Sequence, residues 1–462
     1  MSNTIQDFKN KITTVDGSGK RSWIYALQPS GKLYQWRTYV TWLYLAILVT
    51  VPFLSFHGEP LFLFNLAEGK FIFFGKIFLP QDFILFGLAM LTFLLFIIVF
   101  TLAYGRIFCG WICPQTIFME MVFRKIEYWI EGPANKQMVR DREEWTREIY
   151  LKKALKHFIF FALSFLIANV FLSYIIGVKA LAAIIVEPIS QHWVGLSAIL
   201  VFSLAFYLVF AFVRELVCTV VCPYGRLQGV LLDKNSIVVA YDYIRGEPRA
   251  KVSRQRVETA GDCIDCDLCV KVCPTGIDIR NGTQMECTNC TACIDACNMM
   301  MLKTGRPQHL IRYDSENNIQ NGIRSKWNYR IKTYSAVLVV LLLLMSFLLL
   351  DRAPFDTTIL RVPGQLLQEN TDGTISNLYR MKIINKSSFT RPYHLVIRDS
   401  ATTLVYAGKA ADSLASGQGI EEMFFIKRSR EIILERKEVV HLDVYSGSQF
   451  IESKKVTFIG QY

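Results

Sequence analysis

Long apolar runs alternate with polar segments along this chain of 462 residues. Five runs carry no charged residue over about the 17 to 25 residues that a helix needs to cross roughly 30 Å of hydrocarbon. They are residues 38–56, 83–105, 158–178, 193–213 and 333–350. One buried helix can be apolar on every side, but five such runs predict an α-helical transmembrane bundle of five spans. Because the first run starts only at residue 38, it lacks the layout of a cleavable signal peptide.

After residue 351 the apolar positions recur at every second residue instead. Val440, Leu442 and Val444 alternate with His441 and Asp443, and glycine-containing pairs that favour turns bound such segments. The pattern predicts a C-terminal all-β domain, an immunoglobulin-like sandwich without cysteine. Two interpretations of this domain stay open: a surface that meets an exported partner, and a stabilising appendage without a site.

The distribution of lysine and arginine predicts the orientation of the chain. Residues 106–157 carry ten and residues 214–332 carry seventeen, whereas residues 57–82 carry two and residues 179–192 carry one. Basic loops are retained on the cytoplasmic side, so we expect a multi-pass protein of the bacterial inner membrane with a periplasmic C-terminal domain. The net charge of +12 then serves topology and contact with anionic lipid, and we expect no nucleic-acid partner.

Eight of the twelve cysteines form two copies of the spacing C-x2-C-x2-C-x3-C between residues 263 and 297. In two-cluster ferredoxins with this spacing, the fourth cysteine of each run ligates the other cluster. The pattern therefore predicts two [4Fe–4S] clusters, one held by Cys263, Cys266, Cys269 and Cys297 and the other by Cys287, Cys290, Cys293 and Cys273. Zinc sites use separated cysteine pairs rather than triplets, and disulfides do not persist in the reducing cytoplasm, so both alternatives are disfavoured.

The other four cysteines form a duplicated motif, C-x3-C-P, at the predicted cytoplasmic ends of two spans. Cys109 and Cys113 precede one proline, and Cys218 and Cys222 precede the other. Cysteines at i and i+4 share a helical side, so we expect the two copies to bring four thiols together. Thiolate softness favours Cu(I), with an additional iron–sulfur centre as the competing assignment and packing as small hydrophobic residues as the simplest one.

These patterns divide the chain into five parts. We predict a cytoplasmic arm over residues 1–36, a four-span bundle over 37–232, an inserted cytoplasmic ferredoxin-like domain over 233–330, a fifth transmembrane helix over 331–351, and the exported β-sandwich over 352–462.

The combination resembles the cytochrome c oxidase accessory family, the FixG-type membrane polyferredoxins. The motifs that carry the resemblance are CGWICP from Cys109, CTVVCPYGR from Cys218, and the eight-cysteine run. The resemblance implies a role in assembling a cbb-type haem–copper oxidase by reducing Cu(II) to Cu(I), with oxidase subunits or copper chaperones as partners. One departure is Asn298, where the second cluster run often carries proline; we expect it to affect the turn and the potential more than ligation.

The resulting hypothesis is a cupric reductase-type membrane oxidoreductase whose clusters pass electrons to copper at the C-x3-C-P thiols. The four-span and cluster portion is also similar to quinol-dehydrogenase polyferredoxins, so a quinol-linked relay to an exported reductase is the nearest alternative. A non-enzymatic scaffold for oxidase assembly is the third. The sequence has no strand, glycine-rich turn and helix of the dinucleotide-binding kind, so the donor is another protein or a quinol. Pairing of the chain with itself is left open.

Overall fold

The computed structural model describes residues 22–460 apart from 57, 67–68, 80–81, 145, 252–259, 323–328, 365–366, 388, 409 and 434. Most of the predicted N-terminal arm, and parts of the connectors on either side of the cysteine run, therefore lie outside the described residues. The described chain divides into two compact units. The first comprises residues 1–50, 87–172 and 182–343, and the second comprises residues 51–86, 173–181 and 344–462.

Four of the five predicted runs lie in helices that are long and apolar enough to cross a membrane. These are Phe83–Tyr104, Arg147–Ile176, Trp193–Val213 and Tyr329–Leu350. The first run lies differently, because its helix spans Lys32–Thr50 and begins in a polar turn. Pro52 disfavours helical backbone just before it, and the chain continues as a short 3-10 turn and a strand, Ser55–Phe56. A fifth span therefore stays a prediction.

The remaining α-helices of the described chain are short, and several of them carry or adjoin the cysteine motifs. They are Ile107–Trp111, Pro114–Thr116, Arg124–Glu131, Ala134–Arg140, Val178–Val186, Pro223–Leu231, Tyr243–Gly246, Leu268–Lys271, Ala292–Lys303 and Glu316–Asn321, with π-helical segments at Ile117–Phe123, Val209–Val213 and Val217–Val221. Aromatic rings fill the bundle core: Phe123 stacks on Phe210 with centroids 4.7 Å apart, and Phe160 packs edge-on against Phe123. This core fixes the helices that carry the C-x3-C-P motifs.

Two antiparallel strands close the cysteine-rich domain. Val238–Tyr241 pairs with Ile311–Asp314, so the chain enters and leaves the domain on neighbouring strands. Ile277, Ile279, Ile294 and Leu310 pack beneath them, each at most 3% exposed. The eight cysteines lie between these strands in sequence and around this core in space.

The second unit contains the predicted all-β domain. One sheet has the order Thr402–Tyr406, Gly419–Ser429, Thr374–Asn385 and Phe355–Arg361, with Gln368–Glu369 on the third strand; the other has the order His394–Ile397, Lys437–Ser446 and Gln449–Ile459, and Arg391–Pro392 pairs with Ser413–Leu414. Val440, Leu442 and Val444 are at most 3% exposed, which confirms that these alternate residues face the core. Of the polar residues between them, His441 is half-buried, whereas Asp443 is buried and paired with Arg398. The same unit holds a small sheet of Phe62–Asn65, Lys70–Phe73 and Lys76–Phe78 and a pair of Ser55–Phe56 with Glu59–Pro60.

A half-buried carboxylate, that of Asp82, joins the loop after the small sheet to the all-β domain. Asp82 pairs with Arg352 and with Lys386, the latter at 2.8 Å, and Lys386 also pairs with Asp356 at 3.0 Å. Burial alone would raise the pKa of Asp82, but hydrogen bonds and these two cations outweigh it and hold the pKa below its usual value. The ion pairs therefore anchor the first strands of the sandwich to the loop that precedes the Phe83–Tyr104 helix.

Candidate iron–sulfur and thiol centres

Two pockets in the cysteine-rich domain are lined by cysteines. One, of about 340 Å³, has Cys273, Cys287, Cys290 and Cys293 in its wall, together with Cys269. The other, of about 370 Å³, has Cys263, Cys266, Cys269 and Cys297. The structure thus brings together the two groups of four that the spacing predicts, including the exchange of the fourth cysteine between runs. Because Cys269 borders both pockets, the two lie side by side.

The backbone around the pockets repeats in the two halves. Asp265 and Asp267 have φ of 49° and 58°, and the equivalent Asn289 and Thr291 have φ of 55° and 67°. Asp and Asn are among the few residues other than glycine that adopt left-handed backbone readily. Left-handed residues within such turns direct successive N–H groups to one side and form concavities that bind anions, including iron–sulfur clusters. Both halves are therefore shaped for an anionic group.

The thiols that line the pockets are held in surroundings that disfavour free thiolate. Burial raises the pKa of Cys269, Cys287 and Cys297 to about 12 and that of Cys273 to about 11. A buried thiol keeps its proton unless a metal ion takes the place of that proton, because the positive metal ion then stabilises the buried negative charge of the thiolate. The donor set and the pocket shape both fit a cubane cluster of soft metal ions.

The two pockets differ in exposure and in neighbouring charge. Cys266 is the one exposed cysteine of the described chain, and it belongs to the 370 Å³ pocket. Arg280 borders the same pocket and forms ion pairs of 2.7 Å with Asp265, Asp267 and Asp278, so its charge is balanced locally. The 370 Å³ pocket thus contains the exposed cysteine, and we call it the outer pocket; the 340 Å³ pocket is called the inner pocket.

The duplicated C-x3-C-P motif takes the same backbone course in both copies. A short helix or π-helical segment ends just before Cys113 and before Cys222, both of which are extended with ψ of 125° and 111°. Pro114 and Pro223 then begin the next helix, where a missing N–H costs nothing. Each motif is thus a break between two helical segments, and the second cysteine lies at the break.

The two copies of the motif lie against each other. The Sγ atom of Cys109 donates to Oε1 of Gln228 at 3.0 Å, which joins the first motif to the helix after the second. Burial raises the pKa of Cys109 to about 12, and Cys113, Cys218 and Cys222 are near enough to act in the same direction. Among the described residues, however, no three His, Cys, Asp or Glu side chains are close enough to hold one metal ion. The four thiols converge without forming a complete site for a single ion.

The first motif is packed directly on the inner pocket. A Cβ atom added to Gly110 would lie 2.6 Å from the carbonyl oxygen of Thr288 and 2.8 Å from that of Asn289, and these two residues lie between Cys287 and Cys290. No side chain fits there, so only glycine allows the two loops to meet. The contact places the Cys109–Cys113 loop beside one cysteine pocket, a relation that no local sequence pattern indicates.

The sequence did not predict two further contacts of the site. Arg37 of the Lys32–Thr50 helix donates through Nε to the carbonyl of Gly110 at 2.8 Å. Asp295, between two pocket cysteines, accepts from the backbone N–H groups of Leu33 at 3.3 Å and Tyr34 at 2.8 Å. Asp295 therefore caps the start of this helix from a distant part of the chain. Its only sequence signal is that it is the one acidic residue within the second cysteine run, residues 287–297.

Comparisons with known proteins agree with this geometry. Family models match over three segments: a 4Fe-4S binding domain over residues 86–133, a 4Fe-4S dicluster domain over residues 213–316, and the Ig-like fold at the C-terminus of FixG over residues 345–461. The first segment contains Cys109 and Cys113, and the second contains the other ten cysteines.

Two curated relatives cover most of the chain. Protein RdxA of Cereibacter sphaeroides is 34% identical over 82% of this chain and 83% of its own length. Nitrogen fixation protein FixG of Rhizobium meliloti is 31% identical over 85% of this chain and 82% of its own length. The crystal structure of a FixG-related protein from Vibrio parahaemolyticus matches 24% of this chain and all of that chain, with 17% identity and a TM-score of 0.22.

Proposed function

The chain belongs to the FixG family of membrane iron–sulfur proteins, and from that premise we propose that it reduces Cu(II) to Cu(I) with electrons from two [4Fe–4S] clusters. Cys263, Cys266, Cys269 and Cys297 would hold one cluster in the outer pocket. Cys287, Cys290, Cys293 and Cys273 would hold the other in the inner pocket. Each cluster, when bound, supplies one-electron redox chemistry. The observation that carries the proposal is the packing of the first C-x3-C-P motif on the inner pocket, through Gly110.

The surroundings of the two pockets support electron transfer from the outer pocket to the inner pocket and then to the C-x3-C-P thiols. Cys266, a lining residue of the outer pocket, is exposed, so a donor protein would approach that cluster most closely. Cys287 and Cys290 of the inner pocket flank the loop against which Gly110 packs. Electron transfer slows steeply with distance, so this contact favours the thiols of the C-x3-C-P motifs as the acceptor side.

Copper is the substrate in this proposal. The thiols of Cys109, Cys113, Cys218 and Cys222 are soft ligands, and soft ligands favour Cu(I) over Cu(II). One electron and one Cu(II) ion give one Cu(I) ion, which the thiols would retain as thiolates after releasing their protons. From the family resemblance, the reduced copper would serve assembly of a cbb-type cytochrome c oxidase. The charge distribution supports a cytoplasmic cluster domain and a periplasmic β-domain.

The test is an anaerobic assay with the purified full-length protein. Protein reduced with dithionite and then desalted receives Cu(II), and a chelator specific for Cu(I) reports the product. We expect up to two Cu(I) per chain, one for each cluster that loses an electron. A preparation with both clusters, counted by iron analysis and electron paramagnetic resonance, that forms no Cu(I) would refute the proposal.

A double variant separates copper from a further iron–sulfur centre at the thiols. Cys109→Ser with Cys113→Ser should lower bound copper and slow Cu(I) formation while the iron content stays constant. The matched variant Cys218→Ser with Cys222→Ser should behave alike, because the two motifs face each other. A loss of iron instead of copper would assign these cysteines to an iron–sulfur centre, which the family match over residues 86–133 makes the main competitor.

A second candidate, the quinol-linked relay, is favoured by one apolar pocket. About 1050 Å³ of space lies between the Lys32–Thr50 helix, the π-helical segment after Pro114 and the Arg147–Ile176 helix. Its lining is apolar except for Thr41 and the amine-bearing Lys125, which suits a molecule with a hydrocarbon tail and a polar head. Reduction of the clusters by a short-chain quinol under anaerobic conditions would support this candidate. Clusters that stay oxidised in excess quinol would exclude it.

A further inference from the structure

Arg106 joins three parts of the site in the first unit. It precedes the first C-x3-C-P motif, and its side chain is 5% exposed. Nη1 donates to the carbonyl of Met285, in the cluster domain, and Nη2 donates to the carbonyl of Gly225, in the helix after the second motif. The guanidinium therefore connects the first motif to the helix after the second motif and to Met285, which lies two residues before Cys287 of the inner pocket.

This buried cation has no carboxylate partner among the described residues. No ion pair of the described chain includes Arg106, and its Nε atom lacks a hydrogen-bond acceptor there. Two other buried arginines of the bundle differ, since Arg124 pairs with Glu120 at 2.8 Å and Arg214 pairs with Glu127 at 2.7 Å. Burying an unpaired charge is strongly unfavourable. The two carbonyl dipoles offset only part of that cost, so an anion is expected nearby.

Cysteines of the first motif and of the second cysteine run lie close along the chain to Arg106 or to its hydrogen-bond partner. Arg106 precedes Cys109 of the first motif by three residues, and the carbonyl that its Nη1 contacts belongs to Met285, two residues before Cys287 of the inner pocket. A [4Fe–4S] cluster with four thiolate ligands carries net negative charge in both of its common redox states. It gains one further negative charge on reduction.

We propose that Arg106 is the counter-cation of the inner cluster site and makes that site easier to reduce. The inference rests on the proposed function, because it assumes that a cluster occupies the inner pocket. A fixed positive charge stabilises the more negative, reduced state. Electrons would therefore settle on the inner side, beside the C-x3-C-P thiols. Arg280 at the outer pocket gives no equivalent net charge, since three aspartates surround it. The two sites would differ in potential for this reason.

Redox titration of the holoprotein, monitored by electron paramagnetic resonance, tests the inference without any copper assay. Arg106→Gln should lower the reduction equilibrium constant of one cluster about tenfold, a shift of about 59 mV to lower potential for one electron. Arg106→Lys keeps the charge and should keep the wild-type potentials. In a Cys266→Ser background, which removes a ligand of the outer pocket, the remaining cluster should show the full shift.

Arg214→Gln is the matched control. Arg214 lies four residues before the second motif, as Arg106 lies three before the first, and it is similarly buried, but its charge is paired with Glu127. This variant should lose thermal stability and keep both potentials. Wild-type potentials in Arg106→Gln, or equal shifts in Arg106→Gln and Arg106→Lys, would overturn the inference. If Arg106→Gln loses the inner cluster, retention in Arg106→Lys supports it and loss in both overturns it. A wild-type protein without two clusters would instead refute the proposed function.

Discussion

Replacing Gly110 by alanine should separate the first C-x3-C-P motif from the inner pocket. The new Cβ would lie 2.6 Å from the oxygen of Thr288 and 2.9 Å from the carbonyl carbon of Asn289. Ordinary contacts between a carbon and a carbonyl oxygen are about 3.3 Å or longer, so one loop must move by roughly half an ångström or more. Both neighbours are backbone atoms, which no side-chain rotation can remove.

Overpacking of this kind costs about 1 to 3 kcal/mol. Arg37 still donates to the carbonyl of residue 110 in the variant, so the loss is confined to the interface between motif and pocket. We therefore expect a lower unfolding temperature, full cluster content, and slower formation of Cu(I) from protein reduced in advance.

The assay compares three measurements on the same preparation: iron content, thermal unfolding, and the rate of Cu(I) appearance. Gly87→Ala is the control, since a Cβ at residue 87 meets nothing within 4 Å and alanine is favoured over glycine in a helix by about 1 kcal/mol. It should keep the wild-type rate. Unchanged stability of Gly110→Ala would contradict the packing argument. A wild-type rate in a destabilised Gly110→Ala protein would contradict the role of this contact in electron transfer.

Three further predictions concern single residues. Asp295→Ala should destabilise the first unit by about 0.5 to 2 kcal/mol through loss of the helix cap, measured by thermal unfolding; Asp295→Asn, which keeps one acceptor oxygen, should lose less, and equal losses would refute the cap. The folded pKa of Asp82 is below its unfolded value, so its stabilisation should be present above about pH 4 and disappear as the pH falls through the folded pKa; Asp82→Asn should abolish that part of the pH dependence in limited proteolysis of the β-domain. Cys273→Ser should alter the resonance signal of the cluster held by the second cysteine run, and an effect confined to the other cluster would refute the exchanged ligand.

The features of this molecule that could be predicted from its sequence are those that depend on the spacing of residues within one short segment. Cluster-binding cysteines must lie two or three residues apart to surround one small cofactor, so the runs from Cys263 and Cys287 show the site directly. Strands that are buried on one face alternate, so Leu442 and Val444 identified a sheet. In both cases one stretch of chain carries the whole signal.

The contacts between distant segments could not be predicted from the sequence, because each depends on a single residue that belongs to no recognisable pattern. Gly110 lies in a motif whose recognisable sequence signal is its two cysteines. Its close contact with the backbone of Asn289 exists only in the folded chain. Arg106 resembles any arginine at a membrane boundary, where basic residues are expected for topology alone. Among the described residues no carboxylate pairs with Arg106, and only the folded structure shows this.

The Lys32–Thr50 helix shows why the count of spans depends on more than hydrophobicity. Its apolar residues predicted a span from residue 38, yet the helix begins six residues earlier, where Asp295 accepts from two of its first N–H groups. Arg37, which is 2% exposed, extends from the same helix to the carbonyl of Gly110. A helix held at its start by the cluster domain and one turn later by the first motif fixes the distance between them. These contacts explain why the helix begins before its apolar run, so the apolar composition alone does not set the start of this helix.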